Sequence, residues 1–480
     1  MRSQALNSLR APWYELRQFE ALPAWVEAAV DPDLVGATLM ATVPELARGA
    51  PAFRGCRITR PRLQESRWRV RYLVTVAGSD GVPRCIPLVG ELVPPGMPPL
   101  RGERESAGFG SSGWRCLLPD LGMHLSSEPP DAALPALDSF TDPQQARLLL
   151  EAAMQAGGPA LASVRIVSAR PEVVRYHPGI RCTIRYQLDF PPDAAGRGWP
   201  DVVVAKLYEG ELGRHAYGGM RALWSSPLSR GTVVHIAQPL AYLSDLRVLV
   251  QGPVREEQTL AERLGAALAT GTVAARTADV EGTAAGLVAL HRSGVGYGPH
   301  VTLAGELDKV RMALHDLSVA VPRLTGAAEP LLARIEELDA VHPTDPAVPT
   351  HRSFRPAQVL LWHGQIGFID FDGLCQAEPA LDVGLFRATT LSTAAAQQRR
   401  SKGASNQPVD PNRLAELSEL CDAFSQRYQA SLPISPTRVA LWETLHLFTQ
   451  VLHCWTKIRP HRLEASMALL EHHLSTSAPG

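Results

Sequence analysis

The sequence lacks several patterns that would point directly to a function. It contains no GxSxG, HExxH or GxxxxGK[ST] motif, so hydrolase, zincin and P-loop functions have no support. No run approaches the ~18 to 20 apolar residues of a membrane span, and the N-terminus has no apolar signal region. We therefore predict a cytoplasmic protein with no membrane partner.

Cysteine pairs at metal-binding spacing are also missing. The seven cysteines are scattered, odd in number and never spaced as CxxC. This distribution argues against a zinc site or a disulfide framework, and it favours free thiols in a reducing compartment.

Charge of one sign is not in excess. Lys and Arg number 47 and Asp and Glu number 48, so the formal net charge is -1. This balance gives no electrostatic footprint for nucleic acid, and we predict no nucleic-acid partner. The 45% hydrophobic and 20% charged content is typical of globular proteins, and 480 residues fit two or three domains.

Two predicted β-hairpins occupy the first half of the chain. Trp68–Val76 alternates apolar and polar residues, and a glycine-containing turn separates it from Ile86–Val93. Cys182–Phe190 and Val202–Tyr208 follow a similar pattern further on. An internal duplication and two unrelated hairpins explain this similarity about equally well. Near the position of the lysine in the last strand, the first copy has Gly90.

The second half has the 3.6-residue period of amphipathic helices. A short β-like interlude, Gln358–Asp370, interrupts it with a predicted hairpin. A β-rich part, a hinge and a helical part with one hairpin indicate two lobes. The predicted helices run from Thr259 to Ala269, Thr277 to Ser293, Thr302 to Val319 and Ala328 to Leu338. In the first half, the patterns predict helices from Asp33 to Ala47 and from about Leu212 to Trp224, and a strand from Val164 to Arg170.

The helical half contains the motifs with the clearest chemistry. His351–Gln358 leads into the hairpin, Ile369–Asp372 ends it, and Gln376–Asp382 follows. Phosphoryl transfer from ATP needs oxygen ligands for Mg²⁺ and a group that orients the acceptor hydroxyl. In order and spacing, this segment resembles the aminoglycoside phosphotransferase and choline kinase family, whose pattern is H-x-D-x-x-x-x-N, a hairpin, I-D-[WFL]-[DE] and D-P-x-x-D. The resemblance covers roughly residues 164 to 470.

The resemblance implies a metal site and a supported catalytic loop. Asp370 would bind Mg²⁺, with Asp372 as a second acid beside the metal. Gln358 stands where the family has a metal-binding Asn, and its amide oxygen lies one methylene further out. Asp382 would bind the backbone of the loop that His351 begins, and His351 would stabilise that loop.

Ser353 is the main departure from the family pattern, which has a catalytic Asp at this position. A serine hydroxyl is no base at neutral pH without a partner. Positioning and electrostatics supply most of the rate of phosphoryl transfer, so transfer can persist without the base. A second departure is Glu378, which replaces the first Asp of D-P-x-x-D.

The resemblance also implies a nucleotide site in the β-rich part. Lys206 follows four small apolar residues, like the strand lysine that binds the α- and β-phosphates. Pro178 and Gly179 permit a tight turn whose amides would cover the nucleotide, and Arg181 follows that turn. A single glycine is much less than a glycine-rich loop.

The helix after Lys206 lacks the glutamate that pairs with this lysine in the family. Ala222 lies near the expected position, so either Glu209 or Glu211 substitutes or the pair does not form. Further on, His291 resembles the histidine that ends a helix behind the catalytic loop, and we interpret it as structural.

The predicted fold is α+β and bilobal, like protein kinases, with a small β-rich N-lobe and a helical C-lobe after an extra N-terminal α+β domain. The boundaries are residues 1–30 for an N-terminal arm, 31–140 for a domain that resembles a degenerate N-lobe, 141–253 for the N-lobe and hinge, and 254–480 for the C-lobe with its catalytic-loop hairpin.

Two functions remain open at this point. One is an ATP- and Mg²⁺-dependent phosphotransferase that acts on a hydroxyl of a small molecule. The other is a weak or inactive pseudokinase that serves as a nucleotide-binding regulatory or scaffold module. The retained acids Asp370 and Asp372 favour the enzyme. No short motif identifies the acceptor, the oligomeric state or the role of the N-terminal domain.

Overall fold

A computed structural model describes residues 8–10, 12–13, 16–18, 21–64, 67–78, 81–94, 108–127, 133–318, 321–402 and 409–475, with backbone only at 60, 64 and 400–402. Two antiparallel sheets occupy the first half, and helices dominate the second. In these described ranges, no helix is both long enough and apolar enough to cross a membrane.

The N-terminal domain is a five-stranded antiparallel sheet preceded by short helices. Along its second strand, Trp68, Val70, Tyr72, Val74 and Val76 are buried while the residues between them are not, because side chains alternate across a sheet. The elements are α1 (Ala24–Ala28), α2 (Pro32–Thr42), α3 (Pro44–Ala47), β1 (Ala52–Gln64), β2 (Arg67–Ala77), β3 (Pro83–Leu92), β4 (Arg115–Leu118) and β5 (Met123–Ser127), with strand order β1-β2-β3-β5-β4.

The N-lobe is a second five-stranded sheet, and its order β6-β7-β8-β11-β10 repeats that of the first sheet. Its predicted hairpin forms, and the predicted helix Leu212–Trp224 is confirmed at both ends. The elements are α4 (Leu137–Thr141), α5 (Pro143–Ala156), β6 (Ser168–His177), β7 (Arg181–Asp189), β8 (Val202–Tyr208), α6 (Leu212–Trp224), β9 (His235–Ile236), β10 (Pro239–Leu243) and β11 (Val248–Gln251).

The turns that connect the last two strands of each sheet are also alike. Each is a 3₁₀ turn that ends in a left-handed residue, Gly122 (φ 53, ψ 41) in the first sheet and Arg247 (φ 54, ψ 43) in the second. In each sheet, the residue two positions after this left-handed residue pairs with the central strand. His124 pairs with Glu91 in the first sheet, and Leu249 pairs with Lys206 in the second. The two sheets thus share a strand order and a turn, and the first has a glutamate where the second has the lysine.

The C-lobe is helical and includes the predicted hairpin, β14 and β15. Its elements are β12 (Gln258–Thr259), α7 (Leu260–Thr270), α8 (Thr277–His291), α9 (Leu303–Ser318), α10 (Pro322–Val341), β13 (Val348–Thr350), β14 (Val359–Trp362), β15 (Gln365–Phe368), β16 (Cys375–Ala377), α11 (Ala380–Lys402), α12 (Pro411–Ser431), α13 (Pro436–Thr456) and α14 (Leu463–Ser475).

Some predicted boundaries are wrong for local reasons. A single helix from Asp33 to Ala47 is two helices, because Val43 precedes Pro44 and is extended (ψ 111). A strand that begins at Val164 begins instead at Ser168, because side chains of α5 bind the backbone of residues 164 and 166. The helix that contains Pro330 continues through this proline and begins near Pro322.

The N-terminal domain shares its core with the C-lobe, whereas the N-lobe sheet has a separate core. Trp68 on β2 is buried, and its indole Nε1 donates to the backbone carbonyl of Trp455 on α13 at 2.8 Å. Arg17 and Glu464 form an ion pair at 2.8 Å. The chain thus has a bilobal, kinase-like α+β fold with an extra N-terminal domain that packs on the helical lobe.

Candidate active site

A cavity of about 620 Å³ lies between the N-lobe sheet and the catalytic-loop hairpin. Its N-lobe wall comes from β6, β7 and β8, and its C-lobe wall from residues 355–372. This volume is typical of small-molecule and cofactor sites.

Lys206 projects into this cavity from β8. The alternate apolar residues of β8 are buried in the N-lobe core, so Lys206 points from the opposite face. Its Nζ lies 2.9 Å from Asp370 Oδ1 and 3.3 Å from Asp372 Oδ1. The lysine of one lobe and the two acids of the other therefore meet across a single cleft.

The two aspartates lie just after β15. Asp370 has a left-handed backbone (φ 73, ψ 52), a conformation that costs free energy in a non-glycine residue and often occurs at functional sites. Asp372 lies in the 3₁₀ turn that follows. The hydroxyl of Tyr208 donates to Asp372 Oδ1 at 3.0 Å, and an Arg181 nitrogen lies 3.8 Å from Asp372 Oδ2.

Burial and mutual charge set the protonation of these groups. Burial raises the pKa of Asp372, and the charge of Lys206 only partly offsets this while the charge of Asp370 adds to it. Burial would also raise the pKa of Asp370, but the positive charge of Lys206 outweighs burial and lowers this pKa. Burial would lower the pKa of Lys206, yet the two carboxylates raise it. The lysine is therefore charged at neutral pH.

Gln358 completes the polar wall opposite Lys206. It is buried, and its Nε2 donates to Asp370 Oδ2 at 3.0 Å and to Ser353 Oγ at 3.3 Å. Gln358 Oε1 and Asp372 Oδ2 are both buried without a hydrogen-bond donor.

Asp370, Asp372 and the amide of Gln358 offer oxygens that fit a hard divalent cation. Mg²⁺ prefers oxygen ligands, and it commonly uses one or two carboxylates together with water and phosphate. Rotating the Gln358 amide by 180°, an assignment that hydrogen bonding alone decides, would turn Oε1 towards Asp370. Within the described ranges, no three or more His, Cys, Asp or Glu side chains cluster as a metal site.

The catalytic loop places Ser353 beside His351. The Nε2 of His351 lies 3.0 Å from the carbonyl oxygen of Ile369, an acceptor, so this nitrogen carries the proton. His351 Nδ1 is then unprotonated in the neutral ring, and it lies 3.2 Å from Ser353 Oγ. The serine hydroxyl therefore donates to this nitrogen.

Asp382 organises the start of this loop from the first turn of α11. Its two oxygens accept the backbone N–H groups of His351 at 2.7 Å and Arg352 at 2.8 Å. Arg352 has a positive φ of 66, so its strained backbone needs this support. His291 Nε2 lies 3.2 Å from Asp382 Oδ2, while its Nδ1 contacts the hydroxyl of Tyr428 at 2.6 Å. His291 is buried in this network, behind the loop.

Glu378 lies outside the cleft and forms a buried ion pair with Arg438. The indole of Trp442 donates to Glu378 at 2.6 Å. This substitution of the family's Asp therefore changes packing between β16 and α13 rather than the groups at the metal site.

The predicted nucleotide-covering turn forms, but Pro178 and Gly179 do not line the cavity, whereas Arg181 does. Ile180 N donates to the carbonyl of His177 at 3.0 Å, and Gly179 has a φ of 66. Proline followed by a glycine with positive φ defines a type II turn.

Neither candidate glutamate replaces the missing acid, since Glu211 pairs with Arg214 at 2.7 Å and Lys206 pairs with the two aspartates.

Two arginines of the cleft were not predicted from the sequence. Arg175 and Arg355 line the cavity, and Arg355 Nε is buried without a partner. The alternation of β6 and β7 could have indicated Arg175, but no short pattern indicates Arg355.

A sequence model of the phosphotransferase enzyme family (APH) matches residues 206–417, a range that begins at Lys206 and includes the catalytic loop and both aspartates. A comparison with curated proteins gives no match.

Solved structures show distant similarity. A glucosamine kinase in complex with glucosamine, ADP and inorganic phosphate is 17% identical, with a TM-score of 0.46 over 92% of this chain and 99% of its own. A thermostable mutant of an aminoglycoside phosphotransferase is 12% identical, with a TM-score of 0.41 over 65% of this chain and 97% of its own. A choline kinase from Cryptosporidium parvum is 9% identical, with a TM-score of 0.40 over 69% and 94%. No functional assignment follows from these three.

The family match and the cleft agree on the same residues. Residues 206–417 match the phosphotransferase enzyme family, and this range contains Lys206 and both aspartates of the cleft.

Proposed function

We propose that this protein is an ATP-dependent phosphotransferase that transfers the γ-phosphoryl group to a hydroxyl of a small molecule. The observation that carries the proposal is the meeting of Lys206 with Asp370 and Asp372 across the cleft, at 2.9 and 3.3 Å. Phosphoryl transfer needs a cation for the phosphates and acids for the metal, and both are present here.

The positive side chains of the cleft would bind the triphosphate. Lys206 would exchange its aspartate partners for the α- and β-phosphates when nucleotide and metal enter. Arg175, Arg181 and Arg355 line the same cavity. Guanidinium groups bind phosphate oxygens through paired hydrogen bonds, and the buried Nε–H of Arg355 has no other acceptor.

Mg²⁺ would bind to Asp370, Asp372 and the amide oxygen of Gln358. When bound, it supplies neutralisation of the charge that develops on the transferred phosphoryl group. Asp372 Oδ2, which is buried without a hydrogen-bond donor, supports this assignment, and so does the Gln358 amide that lies 3.0 Å from Asp370 Oδ2. Asp370 has the lowered pKa of the pair and would be ionised when the metal binds.

The Ser353–His351 pair would replace the missing base. Ser353 Oγ accepts the proton of the acceptor hydroxyl while its own proton moves to His351 Nδ1, 3.2 Å away. The acceptor oxygen then bonds to the γ-phosphorus as the bond to the β-phosphate oxygen breaks, and ADP leaves. His351 later returns the proton through Ser353 to water. This geometry favours the enzyme over the pseudokinase.

A second cavity, of about 330 Å³, is a candidate for the acceptor site. Helices α9 and α13 and strand β1 line it, with polar groups that include Glu306, His446 and Thr449. Glu306 also binds Arg352 at 2.9 Å, which places one wall of this cavity next to the catalytic loop. A polyhydroxy or amino alcohol would find both donors and acceptors there.

ADP release tests the proposal. The purified chain is incubated with Mg-ATP and sugars, amino sugars, aminoglycosides or choline-like alcohols, and phosphorylated product is identified by mass spectrometry. We expect stoichiometric ADP and product with at least one acceptor class, and a loss of about 100-fold or more in Asp370→Asn. The control is Asp245→Asn, which changes an exposed acid of the N-lobe. A wild type that releases no ADP with any class and does not bind Mg-ATP contradicts the proposal.

A further inference from the structure

We propose that Arg71, a residue of the N-terminal domain, is a positioning residue of the nucleotide site: it fixes the orientation of the turn at Pro178 and Gly179. This inference rests on the proposed function. It also assigns a role to the extra domain, because Arg71 lies on β2, outside the segment that matches the family.

The contact is made to the peptide group that defines the turn. The guanidinium of Arg71 donates to the carbonyl oxygen of Pro178. Type I and type II turns differ in the orientation of this central peptide. A planar peptide directs its C=O and N–H groups to opposite sides. A donor bound to the Pro178 carbonyl therefore also fixes the direction of the Gly179 N–H, and with it the conformation of the turn.

Glycine at 179 leaves room for this approach. A Cβ atom at Gly179 would lie 2.8 Å from one guanidinium nitrogen of Arg71 and 3.1 Å from the other. Its φ of 66 is also a conformation that side-chain-bearing residues avoid. The single glycine of the turn thus serves both the turn itself and the close approach of Arg71.

The turn connects directly to the catalytic groups. Glu209 N donates to the carbonyl of Ile180 at 2.8 Å, which ties the turn to the chain just after Lys206. On the other side Arg181 extends towards Asp372. A change in the turn would therefore displace the groups proposed to bind phosphate.

Arg71 has a fixed base from which to act. Its strand pairs with β1 and β3, and Thr59 Oγ1 donates to the Arg71 carbonyl at 3.2 Å. Three residues earlier, Trp68 binds the backbone of Trp455 in the C-lobe. The N-terminal domain thereby connects the N-lobe turn to the lobe that contains Asp370.

The test compares Arg71→Ala with Arg69→Ala in the full chain. Arg69 lies on the same strand and contacts Glu91 at 3.7 Å, so its removal deletes an equal charge without touching the turn. We expect Arg71→Ala to raise the KM for ATP about 10-fold, the effect of losing a hydrogen bond to a charged donor. We expect its kcat and melting temperature to change little, and Arg71→Lys to recover part of the affinity. Arg69→Ala should match the wild type.

Hydrogen exchange of a peptide that covers residues 177–181 gives a readout without turnover. Arg71→Ala should exchange faster than the wild type and Arg69→Ala should not. If the wild type uses ATP but Arg71→Ala leaves both the KM and the exchange unchanged, the positioning role is wrong and the proposed function stands. If the wild type neither binds nor uses Mg-ATP, the proposed function fails, and the role of Arg71 in nucleotide binding fails with it.

Discussion

At the scale of single residues, a serine hydroxyl can accept a proton from an incoming hydroxyl only if it passes its own proton onward. Ser353 has a partner for this step, since the Nδ1 of His351 is left unprotonated by the bond from Nε2 to the carbonyl of Ile369. The spacing between His351 and Ser353 is visible in the sequence. The tautomer is not, because Ile369 contributes a backbone oxygen that any residue would have.

Ser353→Ala tests this relay. We expect its kcat to fall about 100-fold, the contribution of a positioned base, with little change in the KM for ATP. Ser353→Asp supplies the carboxylate of the family pattern, and its kcat should equal or exceed that of the wild type. Steady-state ADP release measures both, with water as acceptor where no other is known.

The matched control is His351→Gln in two backgrounds. Alone, His351→Gln should lower kcat about as much as Ser353→Ala does, because the effects of substituting two members of one relay are not additive. In the Ser353→Asp background, His351→Gln should lower kcat much less. Equal loss in both backgrounds indicates that His351 only supports the loop.

Two histidines beside the second cavity predict a pH dependence of stability. Burial lowers the pKa of His446 to about 4. Burial, with the charges of Lys457, Arg459 and Arg62, lowers the pKa of His453 to about 3. The unfolded chain protonates its histidines near pH 6.5 and the folded chain much lower, so the folded state binds fewer protons in between. The two buried neutral histidines therefore contribute fully to the free energy of unfolding above about pH 6.5, and this contribution is lost as the pH falls towards 4.

His446→Gln removes one of these groups. Between pH 7 and pH 5, we expect the free energy of unfolding to fall by roughly 1 to 2 kcal/mol less in this variant than in the wild type. Urea unfolding at the two pH values measures it. His363→Gln, at a mostly exposed histidine, should behave like the wild type. An identical pH response in all three proteins contradicts the assignment.

At the scale of elements, α11 supports the catalytic loop through one side chain in its first turn. Asp382 accepts two backbone N–H groups with separate oxygens, at 2.7 and 2.8 Å, and also contacts His291. Removing a buried acceptor leaves its donors unsatisfied, at a cost of about 1 to 3 kcal/mol each.

Asp382→Ala should therefore destabilise the protein by roughly 3 kcal/mol or more and abolish turnover. Asp382→Asn retains one acceptor oxygen and should cost less than the alanine variant. Thermal and urea unfolding measure both changes. The control is Asp410→Asn, which alters an exposed helix N-cap and should cost about 1 kcal/mol or less. Equal stability of the Asp382 and Asp410 variants contradicts the proposed support.

Elements with strong local patterns could be predicted from the sequence, and those fixed by neighbours could not. The helix Leu212–Trp224 and the strand Val202–Tyr208 agree with the structure at both ends. Val164 and Ile166 have the apolar alternation of a strand, but their backbone groups bind side chains of α5 instead. The acids that pair with Lys206 lie 164 and 166 residues away, so no pattern close to this lysine could indicate them.

At the scale of the whole molecule, the N-terminal domain joins the C-lobe core and contacts the N-lobe turn. The sequence predicts the extra domain but not where it packs, because the Trp68–Trp455 contact spans 387 residues. The two sheets share a strand order, yet Glu91 occupies the lysine position of the first sheet and pairs with Arg67 and Arg69. A carboxylate at that position would repel phosphate, so the first sheet is not expected to bind nucleotide.

The central claim is that one cleft binds ATP and Mg²⁺ through Lys206 and Asp370. Calorimetric titration of ATP into the wild type, Lys206→Ala and Asp370→Asn, each with and without Mg²⁺, tests it most directly. We predict that Mg²⁺ tightens ATP binding in the wild type, that Asp370→Asn loses this increment, and that Lys206→Ala binds more weakly in both conditions. The absence of ATP binding in the wild type, or an Asp370→Asn variant with an undiminished response to Mg²⁺, would contradict it.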